Sequence, residues 1–414
     1  METNSYSQFE VKENRSTEIY VAALADSNIT LRTTPEKLQA LPFTRNKVIT
    51  RGASKVLIPK SFRTEDIKIE KKAILLESTT PVIVVTMNHD GNSSDTSLIL
   101  PVERLGLRYI IGTTDPFSPK LTAHKSQVAI AALHDNTTVT IQLKFDSNSS
   151  FTYQNNQYFS EDKLTLNLNK FESFQFCKQA DLTGTLVGAD LPVAVFAGNR
   201  CNKLQTFGYC SHLMEQLPPI DDLDNEFIVP PSLEFGGSKV RIVAAQKTHI
   251  EFFFDGQKKE KVLDPGTYQD ARIYSDHSAY IKADKPIMVL GFAIRMNQKE
   301  EGDPYMSLVP GFNQYLSQYS IVVPVGYTKN FLSVILKEES KSSLRIDDQA
   351  LSRDFIVSKM EVVISKGKYL VLILQTSSGG HRVETLDGSR FGLMVHGQKN
   401  GDSYGYAANM VKVS

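Results

Sequence analysis

The 414-residue chain has no tryptophan, only three cysteines, and no apolar run approaching the roughly 20 residues that a membrane-crossing helix needs. Three cysteines cannot supply the disulfide framework of a small secreted scaffold, so the fold must rest on a buried core. An excess of either charge is missing as well. Forty-six basic and 46 acidic residues leave a formal net charge of zero, and no long-range field favours nucleic acid or an anionic membrane. The opening stretch METNSYSQFEVKENRST is polar and lacks the apolar segment of a signal peptide. The chain therefore reads either as cytosolic or as the mature part of a secreted protein.

Catalytic signatures are absent too. There is no G-x-S-x-G elbow, H-E-x-x-H pair, phosphate-cradling loop or G-x-G-x-x-G turn. The eight histidines are scattered without metal-ligand spacing. Two acidic turns, DGNSSD at 90–95 and DDLDNE at 221–226, do not follow the EF-hand pattern and read as surface turns. No metal, cofactor or enzymatic activity is expected.

What the chain does contain is strand periodicity. KLTLNLNKFESFQF alternates apolar and polar residues, GKYLVLILQT runs continuously apolar, and Gly, Asn, Asp and Pro punctuate such runs. Helical periodicity is scarce, with VERLG and FNQYLSQY each offering a turn or two. The fold class is all-β.

Internal repeats organise these strands. LLESTTPVIVVTMN, LVGADLPVAVFAGN and IKADKPIMVLGFA each read as strand, turn and strand, the second strand opened by Pro81, Pro192 or Pro286. VETLDGSRFGLMVHG is a fourth copy, with Arg390 in place of the proline. Units of about 100 residues with six to eight strands suit β-sandwiches better than propeller blades, which take about 40–50 residues, so a propeller-like arrangement is the alternative. Seams near 95, 210 and 303 divide the chain into four tandem β-sandwich-like units at 1–95, 96–210, 211–303 and 304–414. Short linkers without Gly/Ser spacers predict tightly packed neighbours.

The seam at 210 holds most of the candidate chemistry. Cys201 and Cys210 bracket a polar loop at a spacing that suits a local disulfide, which would contribute about 2–3 kcal/mol. Two reduced thiols are the alternative, and Cys177 is either a free thiol or a competitor for the pairing. In CSHLMEQ, His212 and Glu215 could do acid–base work if they converged on a pocket. With no nucleophile in view they read instead as groups that satisfy the seam backbone. Together with Gln216 and Pro218 they would lock one unit onto the next. Sequons at Asn14, Asn28, Asn92, Asn136 and Asn148 lie in the first 150 residues, in turns where an acceptor is exposed. Tyr153, Tyr158, Tyr404 and Tyr406 are the aromatic candidates for a sugar-binding face, since tryptophan is lacking.

DLTGTLV, LPVAVFAGNRC, CSHLMEQLPP, RIVAAQKTHIEFF, DPYMSLVP and RFGLMVHGQKNGDSYGYAA resemble the N-terminal domain of IgGFc-binding protein and its relatives, over nearly the whole chain. The resemblance implies a secreted, mucus- or surface-associated protein, and with it an oxidising environment that favours the Cys201–Cys210 bridge. It also implies a non-enzymatic binding or adhesion module that meets a glycoprotein, a mucin or, as in some members, immunoglobulin Fc. The alternative function is a hydrolase of surface glycans using His212 and nearby carboxylates.

Overall fold

The computed structural model describes residues 15–23, 25–43, 47–50, 52–64, 67–90, 93–117, 124–145, 150–202, 204, 211–232, 237–254, 256–294 and 302–413. The chain is all-β, and its described helix is confined to short 3-10 turns. Alternation in the sequence becomes alternation in burial. Lys163–Leu168 buries Leu164, Leu166 and Leu168 and exposes the residues between them, whereas Gly367–Gln375 buries six residues in succession.

Four long strands are each followed by a short partner. β1 (Val82–Asp90) precedes β2 (Ser93–Leu98), β3 (Leu186–Asn199) precedes β4 (Leu213–Gln216), β5 (Ala279–Ala293) precedes β6 (Met306–Leu308), and β7 (Gly392–Lys399) precedes β8 (Asp402–Ala407). Each short strand pairs antiparallel with the long one before it. Thus β4 and β6, which begin just after 210 and 303, add to the sheets of the preceding segments.

The first sheet runs Gly52–Ile58, Arg15–Ala23, β1, β2. The second runs Lys163–Leu168, Thr137–Gln142, β3, Ser126–Ala132, Ser173–Lys178, Lys68–Glu70, and β3 also carries β4 and Gly106–Ile110. The third runs Gln257–Leu263, Thr248–Phe254, β5, Gly237–Ala244, Thr267–Tyr274, with β6 and Asp224–Val229 also on β5. The fourth runs Ile356–Ile364, Gly367–Gln375, Lys329–Lys337, β7, β8. Smaller sheets of three and four strands accompany the first and last segments.

In β3 and β5 the predicted turns are not turns. LVGADLPVAVFAGN is one 14-residue strand and AYIKADKPIMVLGFA one of 15. Each changes partner midway. β3 pairs with Thr137–Gln142 through 186–189 and with Ser126–Ala132 through 193–199. β5 pairs with Thr248–Phe254 through 280–283 and with Gly237–Ala244 through 287–293. Pro192 and Pro286 sit in the gaps between the partners, where a missing N–H costs no ladder bond.

Three 3-10 turns, Val102–Arg104, Ile220–Asp222 and Phe312–Gln314, follow Pro101, Pro219 and Gly311 and start the next segments. Residues 409–413 bind all three turns. Arg104 donates to the Lys412 carbonyl, Lys412 N–H donates to Asp222 at 3.1 Å, and Gln314 donates to the Met410 carbonyl at 2.9 Å. Packing is equally continuous. Val85, Phe174, Leu290 and Tyr406, drawn from all four large sheets, belong to one buried apolar cluster.

Candidate functional site

Two buried polar clusters gather the charged residues that a chemical site would need. The first surrounds β2, all six residues of which are buried, so the end of DGNSSD runs into the interior instead of finishing as a surface turn. β4 pairs with β3 along one edge and turns alternate amides outward along the other. Side chains of β2 receive them. His212 N–H donates to Ser93 Oγ at 2.9 Å, Met214 N–H to Asp95 Oδ2 at 3.0 Å, and Gln216 N–H to Ser97 Oγ at 2.6 Å. Ser93, Asp95 and Ser97 are two residues apart and so share one face of the strand, which makes a ladder of side chains where a neighbouring backbone would normally stand.

Asp95 reaches further. Its Oδ2 also accepts from Met306 N–H of β6 at 3.1 Å, and its Oδ1 accepts from Thr96 N–H at 2.8 Å. On the other side Ser94 donates to Asp402 at 3.0 Å and Thr96 Oγ1 donates to the Gly405 carbonyl of β8 at 3.0 Å. Ser211 donates to Asp303 at 2.6 Å, and Asp303 N–H donates to Ser403 Oγ at 2.9 Å. Four short strands from four sheets are thereby joined through side chains.

Burial pushes the Asp95 carboxyl well above its ordinary range, with nearby Asp303 adding to the effect, while the three amides that bond it pull the other way. Burial raises Glu215 as well, and Asp95 reinforces the shift. Among the described residues Glu215 makes no hydrogen bond of normal geometry. The Ser97 hydroxyl and the Leu308 amide are the polar groups that bear on it.

The Glu215 carboxyl makes no hydrogen bond to His212, so the acid–base pairing that the sequence offered as an alternative is not assembled. The motif instead contributes backbone. The His212 and Gln216 amides bind β2, and the Gln216 side-chain oxygen accepts from Leu100 N–H at 3.0 Å. Pro218 is buried beside Pro219, against which Gly106 packs so closely that a Cβ there would lie 2.4 Å from the Pro219 Cβ.

The second cluster centres on Arg241, fully buried within Gly237–Ala244. Its Nε and Nη2 meet the two oxygens of Asp270 at 2.7 and 2.8 Å. Its Nη1 donates to Asp181, to the Thr113 carbonyl at 2.7 Å and to Thr183 Oγ1 at 2.9 Å. The guanidinium lies 3.7 Å from the centre of the Tyr268 ring. Thr113 and Thr183 hydroxyls also bond Asp181, at 2.8 and 2.6 Å. Burial would raise the Asp181 carboxyl, but the charge of Arg241 and these hydrogen bonds outweigh it and hold the group below its ordinary range. Next to the cluster two glycine turns touch. Gly184 (φ +93°) could not carry a Cβ, which would lie 2.0 Å from the Gly266 carbonyl oxygen.

A cleft of about 640 Å³ opens beside this joint, its lining including Asp115, Phe145, Glu161, Gln179 and Tyr268. Among the described residues no group of three or more His, Cys, Asp or Glu is placed to hold a metal ion, and no helix is long and apolar enough to cross a membrane.

The remaining candidates scatter. Cys177 and Cys201 are buried, and Cys210 lies outside the described residues. Asn136 is exposed on a turn with φ 56°, Asn28 is half-buried in a strand, and Asn14, Asn92 and Asn148 lie outside the described residues. Tyr404 and Tyr406 are fully buried, contrary to a place on a sugar-binding face, because both faces of β8 are covered. Tyr153 and Tyr158 are half-buried on a small hairpin.

Sequence reasoning missed Asp95, Asp181 and Arg241. The available signal was a charged residue inside an apolar run, as in KVRIVAA, since a buried charge must find a partner.

The family model described as IgGFc binding protein matches residues 95–397. The chain belongs to this family. Human IgGFc-binding protein is 26% identical over 370 residues, 88% of this chain and 7% of that relative, so the chain spans a small part of the relative it matches. Solved structures are only distantly similar. The major pilin of Streptococcus pyogenes aligns at 7% identity over 73% of this chain and 98% of its own, with a TM-score of 0.16. A Ca2+-stabilised ice-binding adhesin of an Antarctic bacterium aligns at 8% identity over 95% of this chain and 93% of its own, with a TM-score of 0.12. Within the matched residues, DLTGTLV and SHLMEQLPP fall on the two buried joints: Asp181, Thr183 and Gly184 on one, His212, Glu215 and Gln216 on the other.

Proposed function

We propose that this family member is a non-enzymatic, extracellular binding module of four tandem β units. Its loops meet a glycoprotein, a mucin or an immune partner such as immunoglobulin Fc. The observation that carries the reading is the use made of the candidate polar residues. Asp95 holds strands of different sheets together, Arg241 ties a strand of the third sheet to Thr113, Asp181 and Thr183 of neighbouring loops, and the Glu215 carboxyl makes no bond to His212, so the chemistry of these groups is spent on rigidity. A rigid frame lowers the entropic cost of presenting loops to a partner. The same reading makes Cys201–Cys210 a disulfide that leaves Cys177 as the third cysteine, and places the protein outside the cell.

Two experiments test it. Immobilised protein should capture a glycoprotein from mucus or extracellular fluid, and binding to purified Fc is measured separately by surface plasmon resonance. A glycan or ester hydrolysis panel run on the parent, His212→Ala and Glu215→Ala proteins should stay blank. Turnover by the parent that disappears in both variants without a change in melting temperature would establish the hydrolase instead.

A further inference from the structure

Ile356–Ile364 is the outer strand of the fourth sheet, and among the described residues it pairs only with Gly367–Gln375. No described strand pairs with its second edge. A long unpaired strand edge is a template for another strand, and folded proteins usually guard such edges with charge, above all lysine. The outer strand of the third sheet, Gln257–Leu263, is guarded in this way by Lys258, Lys259 and Lys261. Ile356–Ile364 exposes only one lysine, Lys359, and one glutamate, Glu361, and has valine on either side of them. Val357 is 46% and Val363 77% exposed, with Phe355 just before the strand at 48%. Its outward face consists of Val357, Lys359, Glu361 and Val363, and its other face of half-buried Ile356, Ser358, Met360, Val362 and Ile364.

The sequence of this strand, IVSKMEVVI, is close to a palindrome in chemical character about Met360. Placed antiparallel against a second copy with Met360 at the centre, Lys359 faces Glu361 and Ser358 faces Val362, and the bulge between Ile356 and Ser358 brings Ile356 and Val357 together against Val363 and Ile364. A twofold axis through the centre repeats every pair. Sliding the copies by two residues in one direction sets Lys359 against Lys359, and in the other direction Glu361 against Glu361. Like charges directly opposite destabilise a sheet. A slip of one residue turns the valines of one copy to the wrong face. One register alone satisfies charge and side-chain face together.

From this self-complementarity we infer that the chain forms a twofold dimer by antiparallel pairing of Ile356–Ile364 with the same strand of a second copy, fusing two five-stranded sheets into one of ten. Lys359 and Glu361, which bond each other within one strand at 3.0 Å, exchange partners across the axis. The interface is isologous and closes on itself, so assembly stops at two copies.

Sedimentation velocity on the full chain tests the pairing. The parent should pass from monomer to dimer as concentration rises. Lys359→Glu sets Glu against Glu twice in the dimer, and Glu361→Lys sets Lys against Lys twice, so each should weaken self-association about tenfold or more. An equimolar mixture of the two single variants should give heterodimers, because both cross-axis pairs are then opposite in charge. The double variant Lys359→Glu/Glu361→Lys should dimerise like the parent. Both side chains are exposed, so melting temperatures should stay near the parent value and confirm folding. A parent that remains monomeric to its solubility limit, a dimer indifferent to both reversals, single variants that fail to heterodimerise, or a foreign strand occupying this edge in place of a second copy would each overturn the proposal.

Discussion

Around Arg241, one cation lies between Asp181 and Asp270, both of its sides are bonded, and Asp181 is held below the ordinary carboxyl range. Around β2, Asp95 and Glu215 are buried with no arginine or lysine among the described groups that act on them, and both are pushed above that range. The two clusters do a similar mechanical task with opposite electrostatics, Asp95 joining β2 to β4 and β6 and Arg241 joining Gly237–Ala244 to the loops that carry Thr113 and Asp181. At Arg241 a charge is buried and neutralised by charge. At Asp95 carboxyl oxygens serve as acceptors for backbone amides of β4 and β6. A buried charge is tolerated when its pairing is complete, and a buried carboxyl lacking a cation is tolerated by keeping its proton.

The contrast is broken most severely at Arg241. Arg241→Ala strands two carboxylates in a tight interior and should cost about 3–5 kcal/mol in denaturant unfolding. Arg241→Lys should recover only part of this, because one ammonium cannot fork onto Asp270 and still reach Asp181 and Thr113. At the other cluster Asp95→Ala leaves the Met214 and Met306 amides without their acceptor and should cost about 2 kcal/mol or more, read as a lower melting temperature. Hydrogen exchange at those two amides should rise with it.

Comparison of the clusters sharpens when pH is varied. A carboxyl raised in the folded state holds its proton over a range in which the unfolded chain has lost it. Asp95 and Glu215 therefore contribute most below the ordinary carboxyl values, about 4, and lose that contribution as pH rises toward their folded values. Glu215→Gln removes one of these titrations, so its melting temperature should gain on the parent as pH rises above the ordinary carboxyl range toward the raised folded value. Asp181 behaves oppositely. Its contribution is present above about pH 4 and lost as pH falls through its lowered value, so in Arg241→Met the acid side of the stability profile should be the shallower one. Smallest is the effect of Tyr158→Ala, which alters a half-buried ring on a small hairpin and should shift stability by about 1 kcal/mol or less.

Strand class was legible in the sequence because side chains of period two settle it locally. Lys163–Leu168 and Gly367–Gln375 are buried as their patterns require. The role of Pro192 and Pro286 was half legible. Each marks a break in hydrogen bonding, as a proline must, but whether the chain reverses there or runs straight on to a new partner depends on strands that lie far earlier in sequence, Ser126–Ala132 and Thr137–Gln142 for β3 and Gly237–Ala244 and Thr248–Phe254 for β5. Tyr404 and Tyr406 looked like loop residues among glycines and are buried because β8 lies between sheets. Asp95 was unreadable for a similar reason. A short polar strand, SSDTSL, has no apolar face to announce burial, and its partners at 211–216, 303–306 and 402–405 are far away in sequence.

The strap formed by residues 409–413 has a temporal meaning. Arg104 and Lys412 are 308 residues apart, yet Lys412 and its neighbours hold the first, second and third 3-10 turns at once. On a ribosome adding roughly 5–20 residues each second, the earliest turn waits on the order of 15–60 s for its fastening to be made. Until then the sheets already formed stand beside one another unlatched, and nascent chains stalled just short of 409 should be cut by protease at the 3-10 turns that the finished protein protects.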